Sequence, residues 1–447
     1  MMDTPICDFV RAYADSRAVR LHMPGHKGRG SLGVESLDIT EIAGADVLYA
    51  PDGVIAQSQQ NATALFGSAK TLYSVEGSSL CIRAMLHLAA IHARLVGKRP
   101  LVLAVRNAHK TFLSAVALLD MPVEWIYPAK RQSVVSCVLT PDELEDILAG
   151  MDEMPVALYV TSPDYLGNVS DIAGLAEVCH RHGILLLVDN AHGAYLQFLN
   201  PSRHPMALGA DLCCDSAHKT LPVLTGGAYL HIAHRAPEGM ADMATEALSL
   251  FASTSPSYLV LQSLDAANAY LSAGYGDQLS RMCAMVERLG QTLTDQGFEL
   301  AGDEPLKLTA CPKSYGYTGD EMAEYLAEQG IVCEFSDPDY VVFMFTPEIE
   351  ADELARLTDA LAILPRRAPI PDIPPIPTPC EQVISIREAM LSPSERLPVS
   401  QCIGRVLASP NVSCPPAIPI IACGERIDAH AIECFSYYGI THCRVVK

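Results

Sequence analysis

The chain has 447 residues, with 31 Lys plus Arg against 52 Asp plus Glu and a formal net charge of −21. That length fits two or three domains rather than one core, and the acidic balance argues against nucleic acid and anionic membranes as partners. Fifteen Cys without a CxxC pair, an N-terminus with acids but no apolar signal core, and no run long enough to span a membrane predict a soluble cytoplasmic protein in a reducing compartment, with no metal.

Residues 1–20 read as a short helix followed by an arm. Arg20 to Gly30 (RLHMPGHKGRG) is a loop, because it carries Pro and three Gly. The run SVEGSS (74–79) precedes a helical pattern over Leu80–Val96. Short apolar strands then follow: LVLAV (101–105), VALYV (156–160), ILLLV (184–188), DLCC (211–214) and GAYLHI (227–232). Helical patterns separate most of them, as in DIAGLAEVCHRHG (171–183). Apolar strands alternating with helices predict an α/β fold with a mainly parallel sheet covered on both faces. A helix-rich connection runs from about 240 to 298. A smaller α/β unit follows, with LKLTA (306–310), a helix near 319–329 and YVVFMF (340–345). Residues 366–379 are Pro-dense and predict an extended linker. The last segment contains CPPAIPIIACGERID (414–428), which reads as a loop.

Polar residues cluster just after the apolar strands, where open α/β sheets bind ligands. Gly77, Ser78 and Ser79 open a helix; free N–H groups, the helix dipole and two hydroxyls suit a phosphate, although either serine can instead cap the helix. Asp189, after ILLLV, can pair with a protonated pyridine nitrogen or simply form a turn. His192, three residues on, can orient a cofactor or a reacting carboxylate, or bond to backbone. His109, after LVLAV, can stack on a pyridine face or serve the fold. After DLCC comes Ser216-Ala217-His218-Lys219. Its lysine can form an imine with an aldehyde cofactor, and Ser216 and His218 can donate to a phosphate. A lone lysine is usually a solvated charge. The order changes that: an anion-binding helix start, a strand-end Asp, then Ser-x-His-Lys is the layout of a fold-type-I pyridoxal phosphate (PLP) enzyme.

RLHMPGHKGRG, RNAHKT (106–111), TSPDYLG (161–167), VDNAHGA (188–194), DSAHKTLPVLTGGAYLH (215–231) and TSPSYLVLQSLD (254–265) resemble the Orn/Lys/Arg decarboxylases of bacteria. CPPAIPIIACGE (414–425) is similar to that family's Pro-rich loop ending in Gly-Glu. The resemblance covers about residues 17–430 and the short branch, without an N-terminal wing domain. It implies a fold-type-I large domain with a mainly parallel seven-stranded sheet. It implies Lys219 as the Schiff-base lysine, Asp189 on the pyridine nitrogen and His109 on the ring. Gly77, Ser78, Ser79, Ser216 and His218 would hold the phosphate, and His192 would lie near cofactor and substrate. Glu425 would read the distal cation of a lysine, ornithine or arginine substrate, whose decarboxylation yields a di- or polyamine. Lys219 or His218 would reprotonate the α-carbon. The family also implies a homodimer, with loop 22–30 and Glu425 meeting the neighbour's site.

The implied plan is an N-terminal arm (1–50), a PLP-binding large domain (51–265), a small α/β domain (266–365), a linker (366–379) and a C-terminal decarboxylase-type segment (380–447). The chain departs from the pattern at Glu76, which precedes the phosphate loop and could face the substrate. It departs also at Asp215, where an uncharged residue or Gln is common, and at Ala422-Cys423 before Gly424. Lys27 and Lys110 are rival lysines that lack the Ser-x-His context. Other readings are an aminotransferase or carbon–sulfur lyase on the same fold, with Arg366 and Arg367 the nearest carboxylate readers, or a catalytically silent regulatory relative.

Overall fold

The computed structural model describes residues 2–410, 413–414 and 417–447. Its strands are β1 (Lys70–Ser74), β2 (Val102–Val105), β3 (Val123–Ile126), a hairpin of β4 (Arg131–Ser133) and β5 (Ser136–Cys137), then β6 (Ala157–Thr161), β7 (Leu185–Asp189), β8 (Leu212–Asp215) and β9 (Ala228–Ile232). Seven of them form one sheet in the order β1-β9-β8-β7-β6-β2-β3. The pairs β2–β3 and β7–β8 are parallel, while β9 is antiparallel to both its neighbours. The seven-stranded α/β sheet expected from the sequence is therefore present, with β1 and β9 making it mixed. Its five apolar strands match the five apolar runs to within a residue or two. β1 (KTLYS) and β3 (VEWI) were not foreseen, because polar residues interrupt both runs.

The chain divides into two compact units. The first comprises Met1–Pro100, Pro155–Leu158 and Ile172–Gln278; the second Leu101–Met154, Tyr159–Asp171 and Leu279–Lys447.

In the first unit, helix α1 (Pro5–Asp15) buries Ile6, Cys7 and Val10, and α2 (Val54–Phe66) buries Ile55, Ala62 and Phe66. Helix α3 (Ser78–Leu95) is the pattern expected over 80–96, begun two residues earlier. The fully apolar burial of β7, β8 and β9 explains why their sequences run without alternation.

In the second unit, α4 (Lys110–Leu119) follows β2. A four-stranded antiparallel sheet runs in the order β10 (Glu299–Ala301), β11 (Lys307–Cys311), β13 (Val341–Met344), β12 (Phe335–Ser336). Residues 366–379 carry neither helix nor strand. Beyond them, Ser394–Pro398 pairs with His442–Val446. Phe335 and Val342 of the small sheet share one apolar cluster with Leu407, Ile420, Phe435 and Val445. The chain's last segment thus closes the core of the small sheet. Pro415 and Pro416 of the expected Pro-rich loop lie outside the described residues.

Candidate active site

In the first unit, the start of α3 is shaped by glycine. Gly77 occupies the capping position with φ +73, so neither Ser78 nor Ser79 serves as the cap. The Gly77 N–H donates to Gly226 O at 2.8 Å. Gly226 has φ +99, and a Cβ there would sit 2.8 Å from Val75 O, so only glycine admits this approach. Ser216 Oγ donates to Ser78 Oγ at 2.7 Å, bringing the turn after β8 against the helix start. Two hydroxyls and a helix N-terminus meet there, as a phosphate requires. Glu76 is exposed, and its carboxylate accepts from Ser253 N at 2.7 Å.

Asp189 ends β7 and is 3% exposed; its Oδ1 accepts from Ala191 N at 3.2 Å. Three residues after Asp189, His192 Nε2 lies 3.0 Å from Lys219 Nζ. Lys219 belongs to the one-turn helix Ala217–Thr220, which continues directly from β8. Its neighbour His218 holds Nδ1 3.0 Å from Gly227 O, so Nδ1 carries the donated proton. Burial first, then the Lys219 charge, lowers the His218 pKa, against the Gly227 hydrogen bond.

In the second unit, His109 is the N-cap of α4, and its Nδ1 accepts from Thr111 N at 3.2 Å. This contact fixes the ring; the remaining ring faces are what stacking would use. Arg106, three residues earlier, is buried, with its guanidinium 5.2 Å from the Trp125 ring. Glu425 is 3% exposed, and its Oε2 accepts from Ala422 N at 2.6 Å. Burial raises its pKa and the Arg106 charge opposes that rise. Gly424 before it has φ +89, and a Cβ would lie 2.2 Å from Ile384 O. Glycine at 424 is therefore demanded by a tight crossing of two segments.

The rival lysines have other company. Lys27 Nζ donates to His22 O at 2.6 Å within its own arm, and Lys110 is exposed at the first residue of α4. Arg366 and Arg367 lie over the rings of Tyr315 and Tyr317, at 5.5 and 4.0 Å. Those contacts engage the arginines that an aminotransferase reading would use. Sequence reasoning missed His204, His231 and Asn190, all of which face Asp215. The signal was Asp215 itself: a carboxylate inside an apolar strand must find donors.

A family model described as the major domain of Orn/Lys/Arg decarboxylases matches residues 4–294. The chain belongs to the Orn/Lys/Arg decarboxylase family. It is 30% identical over 470 residues to an arginine decarboxylase of Bacillus subtilis, covering 96% of this chain and 92% of that protein. It is 30% identical over 462 residues to an arginine decarboxylase of Halalkalibacterium halodurans, covering 95% and 91%. A lysine decarboxylase of Francisella novicida superposes with a TM-score of 0.81 at 16% identity, over 99% of this chain and 81% of that one. The E. coli constitutive lysine decarboxylase gives 0.78 at 17%, over 100% and 82%. These two share the fold. The resemblance read from HMPGHK and SAHKT is borne out, and this family member is an amino-acid decarboxylase of the PLP-dependent kind. Among the described residues no helix is long and apolar enough to cross a membrane.

Proposed function

We propose that this family member decarboxylates a basic amino acid in the cytoplasm, with PLP anchored at Lys219. The observation that carries the reading is the 3.0 Å contact between Lys219 Nζ and His192 Nε2, set between a buried strand-end Asp189 and the Ser78–Ser216 hydroxyl pair. This donor set fits PLP: a lysine for the aldehyde, a carboxylate for the ring nitrogen, hydroxyls and a helix N-terminus for the phosphate. When bound, the cofactor supplies an electron sink for the pair left on the α-carbon as CO2 departs.

The chain's own residues do the rest. Asp189 would hold the proton on the ring nitrogen. Ser78, Ser79, Ser216 and the N–H groups opening α3 hold the phosphate, with Gly77 admitting its close approach. His109, its ring fixed by Thr111 N, is assigned to the pyridine on the family resemblance alone. His192 Nε2 and Lys219 Nζ would share one proton, which Lys219 could deliver to the α-carbon. Glu76, turned to Ser253, steadies that loop, and the proposal assigns it no substrate contact. Glu425 offers its carboxylate beside Arg106; we assign it to balancing that buried cation.

The curated relatives named arginine decarboxylase make arginine the first substrate to test. The exposed apolar side chains of the arm, Leu21 at 89% and Leu32 at 81%, support a homodimer in which a second copy covers them. The deciding experiment incubates the PLP-loaded protein with arginine, lysine and ornithine and reads CO2 and amine products by mass spectrometry. Decarboxylation of at least one of them is expected. Release of CO2 from none, or keto-acid formation instead, would overturn the reading.

A further inference from the structure

Directly before Ser216 lies a carboxylate that the proposed chemistry leaves unused. Asp215 is fully buried, as are His204 and His231. Its Oδ2 lies 3.0 Å from His204 Nε2 and 3.1 Å from His231 Nε2. Its Oδ1 accepts from Asn190 Nδ2 at 2.6 Å. Besides the Cys213 Sγ of its own strand, 3.7 Å from Oδ1, three donors from three other segments converge on this side chain: His204 from the cap of helix Pro205–Leu208, His231 from β9, and Asn190 from the turn after β7.

The trio also has the composition of a metal site, with ligand atoms within 4.8 Å of one another. The hydrogen bonds argue against that use. Met206 N donates to His204 Nδ1 at 3.2 Å, so Nδ1 keeps its lone pair and Nε2 bears the proton. A nitrogen that bears a proton cannot ligate. His231 Nδ1 meets Thr71 Oγ1 at 2.8 Å, and that hydroxyl meets Ser68 Oγ at 2.7 Å. The chain Ser68–Thr71–His231–Asp215 is satisfied with each hydroxyl donating onward and His231 Nε2–H donating to Asp215. Both imidazoles then donate Nε2–H to the Asp215 carboxylate; despite its burial, the electrostatics and hydrogen bonds of the two histidines hold its pKa well below the usual range.

We propose that Asp215 is a positioning residue which sets the two cofactor-bearing turns in register through Asn190. Asn190 is the residue after Asp189 and lies two before His192. Asp215 is the residue before Ser216 and lies four before Lys219. The Asn190–Asp215 bond therefore ties the turn that carries Asp189 and His192 to the turn that carries Ser216 and Lys219. A second tie, Asn190 N to Cys214 O at 2.9 Å, runs through backbone and does not depend on either side chain. His204 and His231 clamp the far oxygen of Asp215, so the carboxylate cannot rotate away from Asn190. The inference rests on the assignment of Lys219 and Asp189 to PLP.

The test reads PLP affinity of the full-length apo-protein by equilibrium dialysis, with thermal melting alongside. Asp215→Asn can keep its oxygen on the two histidines, but it turns an N–H toward the Asn190 amide, donor against donor. Asn190→Ala removes the link from the other side and leaves the His–Asp–His group whole. Both variants are expected to bind PLP about tenfold or more weakly, the scale of one lost charge-assisted hydrogen bond. Asn190→Ala should melt within a few degrees of wild type, which separates positioning from bulk stability. Wild-type PLP affinity in Asn190→Ala would overturn the proposal even if Asp215→Asn failed to fold. A wild-type protein that bound no PLP at all would instead bring down the function on which it rests. Titration with Zn(II) is expected to leave the melting temperature unchanged; a rise abolished by His204→Gln would make the trio a metal site and overturn the donor assignment.

Discussion

Lys219 Nζ and His192 Nε2 stand 3.0 Å apart. Two basic nitrogens at that distance hold one proton between them, because a second charge would meet the first at hydrogen-bond range. Under the proposed function the pair would act as one proton-transfer unit. Lys219 reaches it from the turn that continues β8, and His192 from the turn that continues β7, so two parallel neighbours in the sheet set the spacing.

Removing either end should have distinct results. Lys219→Ala is expected to abolish both the cofactor's protein-bound absorbance and decarboxylation, since no amine remains to anchor the aldehyde. His192→Ala is expected to keep the absorbance and lower kcat by about 10² to 10⁴, the usual worth of a positioned proton-transfer group. Absorbance spectra and steady-state kinetics on the purified variants decide. A His192→Ala enzyme with wild-type kcat would remove it from the proton path.

Glu425, which the family resemblance assigns to the substrate's cation, is assigned under the proposed function to Arg106, whose charge acts on its carboxylate. Glu425→Gln leaves a buried guanidinium without its nearby counter-charge. Stability should fall by about 1–3 kcal/mol, as when a buried charged group loses its partner. KM for the accepted amino acid should stay within about twofold, because no ground-state contact is lost. Urea unfolding and a KM measurement test both halves. A large rise in KM at unchanged stability would return Glu425 to the substrate.

The sheet was legible because strands buried on both faces need unbroken apolar runs, and five such runs stand out. β1 escaped because Lys70 and Thr71 begin it and Ser74 ends it, while β3 is four residues long with Glu124 inside it. Lys219, Asp189 and Ser216 were legible because each follows an apolar strand in sequence. His204 and His231 were not, because their role is defined by a shared carboxylate reached through the fold. The direction of β9 was equally hidden: an apolar run carries no sign of which way it pairs.

Lys307 and Glu304 form a pair at 2.6 Å with both side chains 1% exposed. The Lys307 Nζ also donates to Asp164 O at 3.3 Å. Lys307→Met would remove the cation from beside the buried Glu304 carboxylate, and breaking a buried pair in this way destabilises by about 3–5 kcal/mol. The double variant Lys307→Met/Glu304→Leu should recover most of that loss, since apolar replacement of both partners is close to neutral. Chemical unfolding of the two variants checks the order. A double variant as unstable as the single would show that Lys307 acts through Asp164 rather than through Glu304.

Asp337 should impose a pH dependence of opposite sign to a salt-bridged carboxylate. Burial, and then the charges of Asp339 and Asp320, push its pKa up to about 7, against the N–H groups of Asp339 and Tyr340 that donate to it. The folded chain thus keeps a proton that the unfolded chain releases near 3.8. Its contribution is fully present below that lower value and is lost as pH rises toward about 7. Asp164, pushed up to about 6 by burial, acts in the same direction over a narrower window. Each such group can change stability by up to about 1.4 kcal/mol per pH unit inside its window. Asp337→Asn carries no titrating proton there, so the fall in stability between pH 5 and pH 7.5 should be shallower in the variant than in the wild type. Urea unfolding at the two pH values measures the difference, and equal slopes would mean that Asp337 is already ionised in the folded protein.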